Sequence, residues 1–389
     1  MKIIFVHDHI FKVTGADCYS SGGLPAAVWQ RYLFVFNGLT VVGRDGGCLS
    51  PEDRGYTLSS TEGVKFKLLP NISNLKNLLW CSEIVSKECK RLISEHDGVI
   101  ARLPSRLGHV FVAEAIRQGK PYAVEVVACP WDALWNYGNW KGKLLAPFSM
   151  LNLKRSLYRS PFALYVTKEF LQKRYPTKGV STFCSNVEIS EVAQQVLSHR
   201  IRSIQNGNKI VFGLIGNYSS RYKGIDVAIQ ALAAIDDRLP EWEFQIIGSG
   251  DSAFYLQLAN SLGVSNKVKF VGSKASGQPV YDWLDTVDIY LQPSYQEGLP
   301  RALIEAMSRG CPALATSVAG IPELLHKTEM VKPGDFRSLS EQILSMSSDL
   351  SRRSQAANAN FEKAKEYYKY TLDERRSSFW KRFHASVLR

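Results

Sequence analysis

The 389-residue chain lacks any uninterrupted apolar run of the ~18 residues a membrane-spanning helix needs, so no transmembrane segment is expected. Its opening, MKIIFVHDHI, holds only a short apolar run ending in His7-Asp8-His9. That run is too short for a signal peptide and reads as a first buried strand. The seven cysteines (18, 48, 81, 89, 129, 184 and 311) form no CxxC pair. Their scatter argues against a disulfide framework or a structural zinc site and for reduced thiols in a cytosolic protein. Short tandem repeats and low-complexity tracts are also missing, which excludes solenoids.

What is present is an ordinary globular composition, 45% hydrophobic and 22% charged, with a formal net charge of +12. The length suits two domains of roughly 150–200 residues each. Residues 101–180 carry thirteen Lys/Arg against four acids, most of the excess. Such a patch can face nucleic acid, an acidic substrate or an anionic membrane, or be a solvated basic face without a partner.

Short apolar runs alternate with helically spaced segments through both halves, the pattern of parallel sheets covered on both faces. In the first half the runs are Lys2–Val6, Leu39–Val42, Gly98–Ala101 and Tyr122–Val127, with helical spacing over 75–94 and 109–118. A second α/β unit starts at Lys209-Ile210-Val211-Phe212, with later strands at Trp242–Ile247, Val268–Val271, Ile289–Gln292 and Pro312–Ala315. The division expected is a first domain over 1–186, a linker over 187–208 and a second domain over 209–365. Residues 366–389 form a closing helix that can cross back to the first domain.

Chemistry concentrates in the run Glu297-Gly298-Leu299-Pro300-Arg301-Ala302-Leu303-Ile304-Glu305, which follows a strand and a Pro293-Ser294 turn. Pro300 suits the start of a helix, where its missing N–H costs nothing, and Gly310 with Pro312 closes that helix. Free N–H groups at such a helix start, beyond the carboxyl end of a sheet, suit phosphate. A second run, Gly213 to Asp226, leads a strand into a loop with two cations, Arg221 and Lys223, able to neutralise a diphosphate. Gly248-Ser249-Gly250 and Gly22-Gly23 are glycine turns where backbone can approach a ligand, or plain turns.

Taken in order, IGNYSSRYKGIDVAIQAL, FQIIGSGDSAFYLQLANSLGVSNKVKFVGS and YLQPSYQEGLPRALIEAMSRGCPALATSVAGIPELL resemble the retaining GT-B glycosyltransferases marked by two glutamates separated by seven residues (glycosyl transferases group 1). SSGGLPAAVWQRYL and VEVVACPWDALWNYG point the same way. The resemblance implies an α/β fold of two Rossmann-like domains with parallel sheets facing across a cleft, donor on the second domain and acceptor on the first.

It also implies roles. Glu297 would lie against the donor sugar and Glu305 would hydrogen-bond the ribose. Lys223 would stabilise the departing nucleoside diphosphate. Gly298, Leu299 and Pro300 would line the phosphate and sugar pocket, with Gly248 and Val271–Lys274 near the base and Gly250 also on the donor side. Gly22 and Gly23 would shape the first domain's side. Two positions depart from the family. Asn217 stands where an Arg is common, with Arg221 a substitute from another direction. Cys129-Pro130-Trp131-Asp132 stands where a His is common, which makes Asp132 the catalytic candidate there, or a helix cap. For His7, His9 and His109 a structural or solvated role is the expectation.

The reading is a hexosyltransferase that keeps the anomeric configuration and uses a nucleoside diphosphate sugar, UDP favoured because it is common in the family. The resemblance implies no cofactor and no metal requirement, and Asp236-Asp237, in a helix-terminal loop, reads as solvated. Within 139–159, cations interleave with bulky apolar groups as in an interfacial segment, and Pro147 predicts two short helices there. The expectation is a cytoplasmic enzyme, peripheral on the inner face of an anionic membrane, that acts on a glycan or lipid-linked acceptor in surface polysaccharide synthesis. A sugar-nucleotide epimerase and a non-catalytic sugar-nucleotide binder are the alternatives. A nucleic-acid partner is not expected, since no recognition motif is present.

Overall fold

The computed structural model describes residues 1–53, 55–71, 75–135, 140–206 and 209–388, with backbone alone at 75–80 and 206. Asn139 and the stretch 136–138 of the VEVVACPWDALWNYG run, together with residues 207–208 of the expected linker, lie outside the described residues. The chain divides into two compact units, Met1–Cys184 with Asp373–Arg389, and Ser185–Leu372.

Among the described residues, the first unit is built on nine strands: β1 Lys2–Thr14, β2 Asp17–Ser20, β3 Gly38–Cys48, β4 Thr57–Leu58, β5 Val64–Leu69, β6 Gly98–Leu103, β7 Tyr122–Val126, β8 Phe162–Tyr165 and β9 Val180–Phe183. The order β5-β3-β1-β6-β7-β8-β9 is parallel throughout, while β2 and β4 add antiparallel pairs beyond the far half of β1. Strands β7 and β8 are buried at every position, as expected of parallel strands covered on both faces. The helices are α1 Ala26–Leu33, α2 Leu75–Glu95, α3 Arg106–Arg117, α4 Pro130–Trp135, α5 Trp140–Tyr158 and α6 Phe170–Arg174. Ser105 caps α3 by accepting from the Gly108 N–H at 2.9 Å.

Two expectations change here. The first strand is thirteen residues rather than five, because β1 runs on past His9 to pair with β2. The stretch Trp140–Tyr158 is one helix with Pro147 inside it, not two. Proline removes one helical hydrogen bond, but Ala146, Leu153 and Leu157 are fully buried on either side of it and hold the helix against the unit.

In the second unit, helix α7 Gln194–Asn206 precedes the strands β10 Lys209–Ile215, β11 Glu241–Ile247, β12 Val268–Gly272, β13 Ile289–Gln292, β14 Ala313–Thr316 and β15 Met330–Val331. Their order is β12-β11-β10-β13-β14-β15, all parallel. This is the doubly wound order that reverses direction between its first and fourth strands. Crossovers α8 Ile225–Ala233, α9 Ala253–Ser261, α10 Gln278–Thr286 and α11 Arg301–Ser308 link the strands, followed by α12 Phe336–Ser348 and α13 Leu350–Ala364.

The stretch expected as a linker thus carries α7, inside the second unit, where Leu197 and Ile204 pack with Ala357 and Phe361. Arg200 on the same face is only 4% exposed, its guanidinium donating to the carbonyls of Leu284 and Val287. Helix α14, Lys369–Val387, returns to the first unit, where Phe379, Trp380 and Phe383 pack on Tyr32, Phe36 and Phe162.

Candidate active site

The second sheet reverses direction between β10 and β13, and open α/β sheets bind ligands outside the carboxyl ends of the strands at such a point. The loops leaving these two strands carry Lys223 and Glu297. Lys223 Nζ donates to Glu297 Oε1 at 2.8 Å, with the side chains 17% and 8% exposed. Gln292 Nε2 and Ser294 Oγ each donate to the same oxygen at 2.7 Å. Among the described residues Oε2 accepts no hydrogen bond, so one carboxylate oxygen is pinned while the other is left for a ligand.

Backbone close approaches assemble this pair. Gly224 (φ 67°) follows the short 3-10 turn Arg221–Lys223, and a β-carbon there would sit 2.0 Å from the Pro293 carbonyl oxygen. The Tyr295 N–H donates to the Tyr222 carbonyl at 2.8 Å, fastening the two loops one residue further on. Gly216 leaves room for Lys223, whose Cγ would lie 3.0 Å from an added β-carbon. Gly248 in turn abuts the Gly216 carbonyl, 1.8 Å from where its own β-carbon would fall. These glycines are therefore packing requirements of the site.

Behind Glu297 runs a buried polar chain. Tyr290 Oη donates to Gln292 Oε1 at 3.0 Å, and Gln292 Nε2 also donates to Ser294 Oγ at 2.8 Å. Thr316 Oγ1 donates to the Ser294 carbonyl. Burial holds the Tyr290 phenol well above its usual range, so it acts as a neutral donor. The sequence reading missed Gln292, Ser294 and Thr316 as site residues. The signal was there in the polar ends of otherwise apolar strands, IYLQPS and ALAT.

Glu305 lies on α11, 6% exposed. Burial raises its carboxyl above the usual range, with Arg301 (Nη1 to Oε1, 3.6 Å) pulling the other way. Pro300 is buried and forms the N-cap of α11, and Leu299 is half-buried before it. The Gly298 carbonyl accepts from the Gly320 N–H at 3.0 Å, anchoring the loop.

Other candidates flank this centre. The exposed Asn217 folds its side-chain oxygen onto the Ser219 N–H at 2.8 Å. Arg221 lies over the Phe254 ring at 4.1 Å. Gly250 (φ 112°) sits against Ser219, with no room for a β-carbon. Lys274 is exposed after β12.

In the first unit, Gly22-Gly23 and Asp132 sit on different segments of the chain. Gly22 (φ 84°) and Gly23 turn the chain into α1, where Ser20 Oγ and His9 Nε2 share a 2.8 Å hydrogen bond. Both Asp132 carboxylate oxygens accept from Arg174 Nη1, at 2.8 and 2.9 Å, which makes Asp132 a tie between α4 and α6. His7 and His9 are both lowered to about 4, mainly by burial and then by Arg102, and are neutral at pH 7. No disulfide forms among Cys18, Cys48, Cys81, Cys89, Cys129 and Cys311. No group of three or more His, Cys, Asp or Glu poised to hold a metal occurs among the described residues.

A sequence profile described as glycosyl transferases group 1 matches residues 209–349. Protein CapJ of Staphylococcus aureus is 32% identical over 348 residues, covering 88% of this chain and 85% of CapJ. The amylovoran biosynthesis glycosyltransferase AmsK of Erwinia amylovora is 36% identical over 135 residues, 32% of this chain and 33% of AmsK. Among solved structures, sucrose-phosphate synthase of Thermosynechococcus elongatus superimposes with a TM-score of 0.70 at 14% identity, covering 99% of each chain. Anabaena HepE in complex with UDP gives 0.68 at 16% identity, over 98% of this chain and 100% of HepE. The fold is therefore GT-B, with two Rossmann-like parallel-sheet domains. The chain belongs to the glycosyl transferases group 1 family and is a glycosyltransferase.

Proposed function

We propose that the chain transfers a hexose, with retention of anomeric configuration, from a nucleoside diphosphate sugar (UDP favoured) to a glycan or lipid-linked acceptor of a surface polysaccharide. The observation that carries this reading is the Lys223–Glu297 pair at the reversal point of the second sheet. An ammonium has three donors, and Lys223 spends one on Glu297, leaving two for diphosphate oxygens as the sugar's C1–O bond breaks. The acceptor oxygen bonds to C1 and its proton passes to the leaving phosphate. Glu297 faces the sugar and Glu305 holds the ribose, while Gly298, Leu299 and Pro300 line the pocket. Lys223 supplies the positive charge, so no metal is required. The names of AmsK and of HepE's bound UDP support the polysaccharide and donor assignments.

The test is donor turnover with defined products. The chain, incubated with UDP-, GDP- and ADP-hexoses and a polyprenyl-linked saccharide, should release one nucleoside diphosphate and form a product with the donor's anomeric configuration by NMR. Chelator should leave the rate unchanged. An inverted linkage would overturn retention, and isomerised donor without acceptor would mean an epimerase.

The enzyme works at the inner face of the membrane as a peripheral cytoplasmic protein. What supports this is the outer row of α5: Trp140 and Phe148 are 68% and 67% exposed, and Leu144, Leu145 and Leu151 are also exposed, among Lys141, Lys143, Lys154 and Arg155. Exposed apolar groups rimmed by cations fit an anionic interface. No described helix is long and apolar enough to cross a membrane.

A further inference from the structure

A cavity of about 680 Å³ opens between α3 and α5, lined by none of the residues assigned to sugar transfer above. Its volume falls in the range of small-molecule pockets. Helix α3 presents His109, Val112, Ala113 and Ile116, and α5 presents Leu151, Lys154, Arg155 and Tyr158. Each set has the i, i+3, i+4, i+7 spacing of a single helix face, so the cavity is walled by two facing stripes. The walls are tied together where His109 Nδ1 and Ser156 Oγ share a hydrogen bond of 2.8 Å.

The lining is chemically divided. Lys154, Arg155 and Arg159 bring three cations, no carboxylate lines the cavity, and among the described residues no acid pairs with any of the three. Lys178 stacks over the Tyr158 ring at 4.5 Å and adds a fourth cation at the edge. Val112, Ala113, Ile116, Leu151 and Pro176 form the apolar part of the wall, and His109, Ser156 and Tyr158 complete it. Leu151 also ends the exposed apolar row Trp140, Leu144, Phe148, Leu151, spaced along one side of α5. An apolar row that runs into a cationic cavity matches one amphiphile, with a phosphate at one end and hydrocarbon at the other.

We propose that this cavity binds the headgroup of one anionic phospholipid, its phosphate held by Lys154, Arg155 and Arg159. The glycerol and first acyl carbons lie against Leu151, Ile116 and Tyr158. The proposal deepens the membrane reading above and turns a diffuse electrostatic attraction into a stoichiometric lipid site.

Calorimetric titration of the full chain with dihexanoyl phosphatidylglycerol, below its micelle concentration, tests it. Saturable binding of one lipid per chain is expected. Binding should fall about tenfold or more in R155A/R159A. It should also fall in Ala113→Trp, which fills the cavity without changing charge, with thermal unfolding confirming the fold of each. Equal affinity for dihexanoyl phosphatidylcholine or for inorganic phosphate alone would overturn the proposal, as would an unaffected Ala113→Trp. Flotation with vesicles of phosphatidylcholine, with and without phosphatidylglycerol, separates the two readings. If wild type fails to float while the short lipid binds at one site, the membrane reading fails and the cavity assignment stands. If wild type floats but the short lipid shows no saturable site, the cavity assignment fails alone.

Discussion

Lys223 and Glu297, 74 residues apart in sequence, meet at 2.8 Å on an oxygen that also takes hydrogen bonds from Gln292 and Ser294. The pair is mostly buried, so its members should be energetically coupled. A double-mutant cycle of Lys223→Met and Glu297→Gln should give a coupling of about 1–3 kcal/mol by urea unfolding. Under the proposed roles, Lys223→Met should also lower kcat by about 10²–10³. Additive effects on stability would mean that the pair forms only in passing.

Gly224→Ala tests the assembly rather than the chemistry. Alanine would meet the Pro293 carbonyl and must also hold a positive φ, so the loop has to move. We expect a loss of about 2 kcal/mol or more in stability. Turnover should collapse even at temperatures where the variant is folded, because Lys223 is the preceding residue. A folded, fully active variant would show that the loop is looser than its contacts imply.

Glu305 carries a pH signature. Its folded-state carboxyl titrates above the unfolded one, so between those two values the folded state holds the extra proton. Stability from this group is therefore lost as pH rises from the ordinary carboxylate range through the folded value. Glu305→Gln should raise the Tm at pH 7–8 relative to wild type. If Glu305 binds the ribose, the same variant should weaken nucleotide-sugar affinity by about tenfold. A rise in Tm without loss of affinity would confine Glu305 to a structural role.

The histidines of β1 work in the opposite sense. His7 and His9 titrate near 4 when folded and near 6.5 when unfolded, so below about 6.5 the unfolded chain binds the more protons. The first unit should lose stability steadily from pH 6.5 towards 4. The variant His7→Asn/His9→Gln should flatten that slope, read from urea midpoints across the window. An unchanged slope would place the acid sensitivity in other groups.

Much of the second unit was legible because its strands are short apolar blocks between glycine and proline turns, and the Glu297–Glu305 segment opens in one of those turns and runs into α11. Other features were hidden for physical reasons. Helix α7 escaped notice because its buried face includes Arg200, whose guanidinium is satisfied only by carbonyls distant in sequence. Pro147 signalled a break that the buried flanks of α5 override. Gln292 and Ser294 matter through a hydrogen-bond chain, and no spacing rule reports a chain that forms only once β13 and β14 are paired. The Asp132–Arg174 tie was equally unreadable, since both partners are common surface residues.

The return of α14 to the first unit has a consequence for synthesis. Phe379, Trp380 and Phe383 are buried in a core whose other members, Tyr32, Phe36 and Phe162, emerge far earlier. At about 5–20 residues per second, the ribosome needs on the order of 10–40 s to make the second unit before it reaches them. For that interval the nascent first unit shows an open aromatic face, a natural place for a chaperone to hold. Loss of the last dozen residues would leave that face uncovered for good.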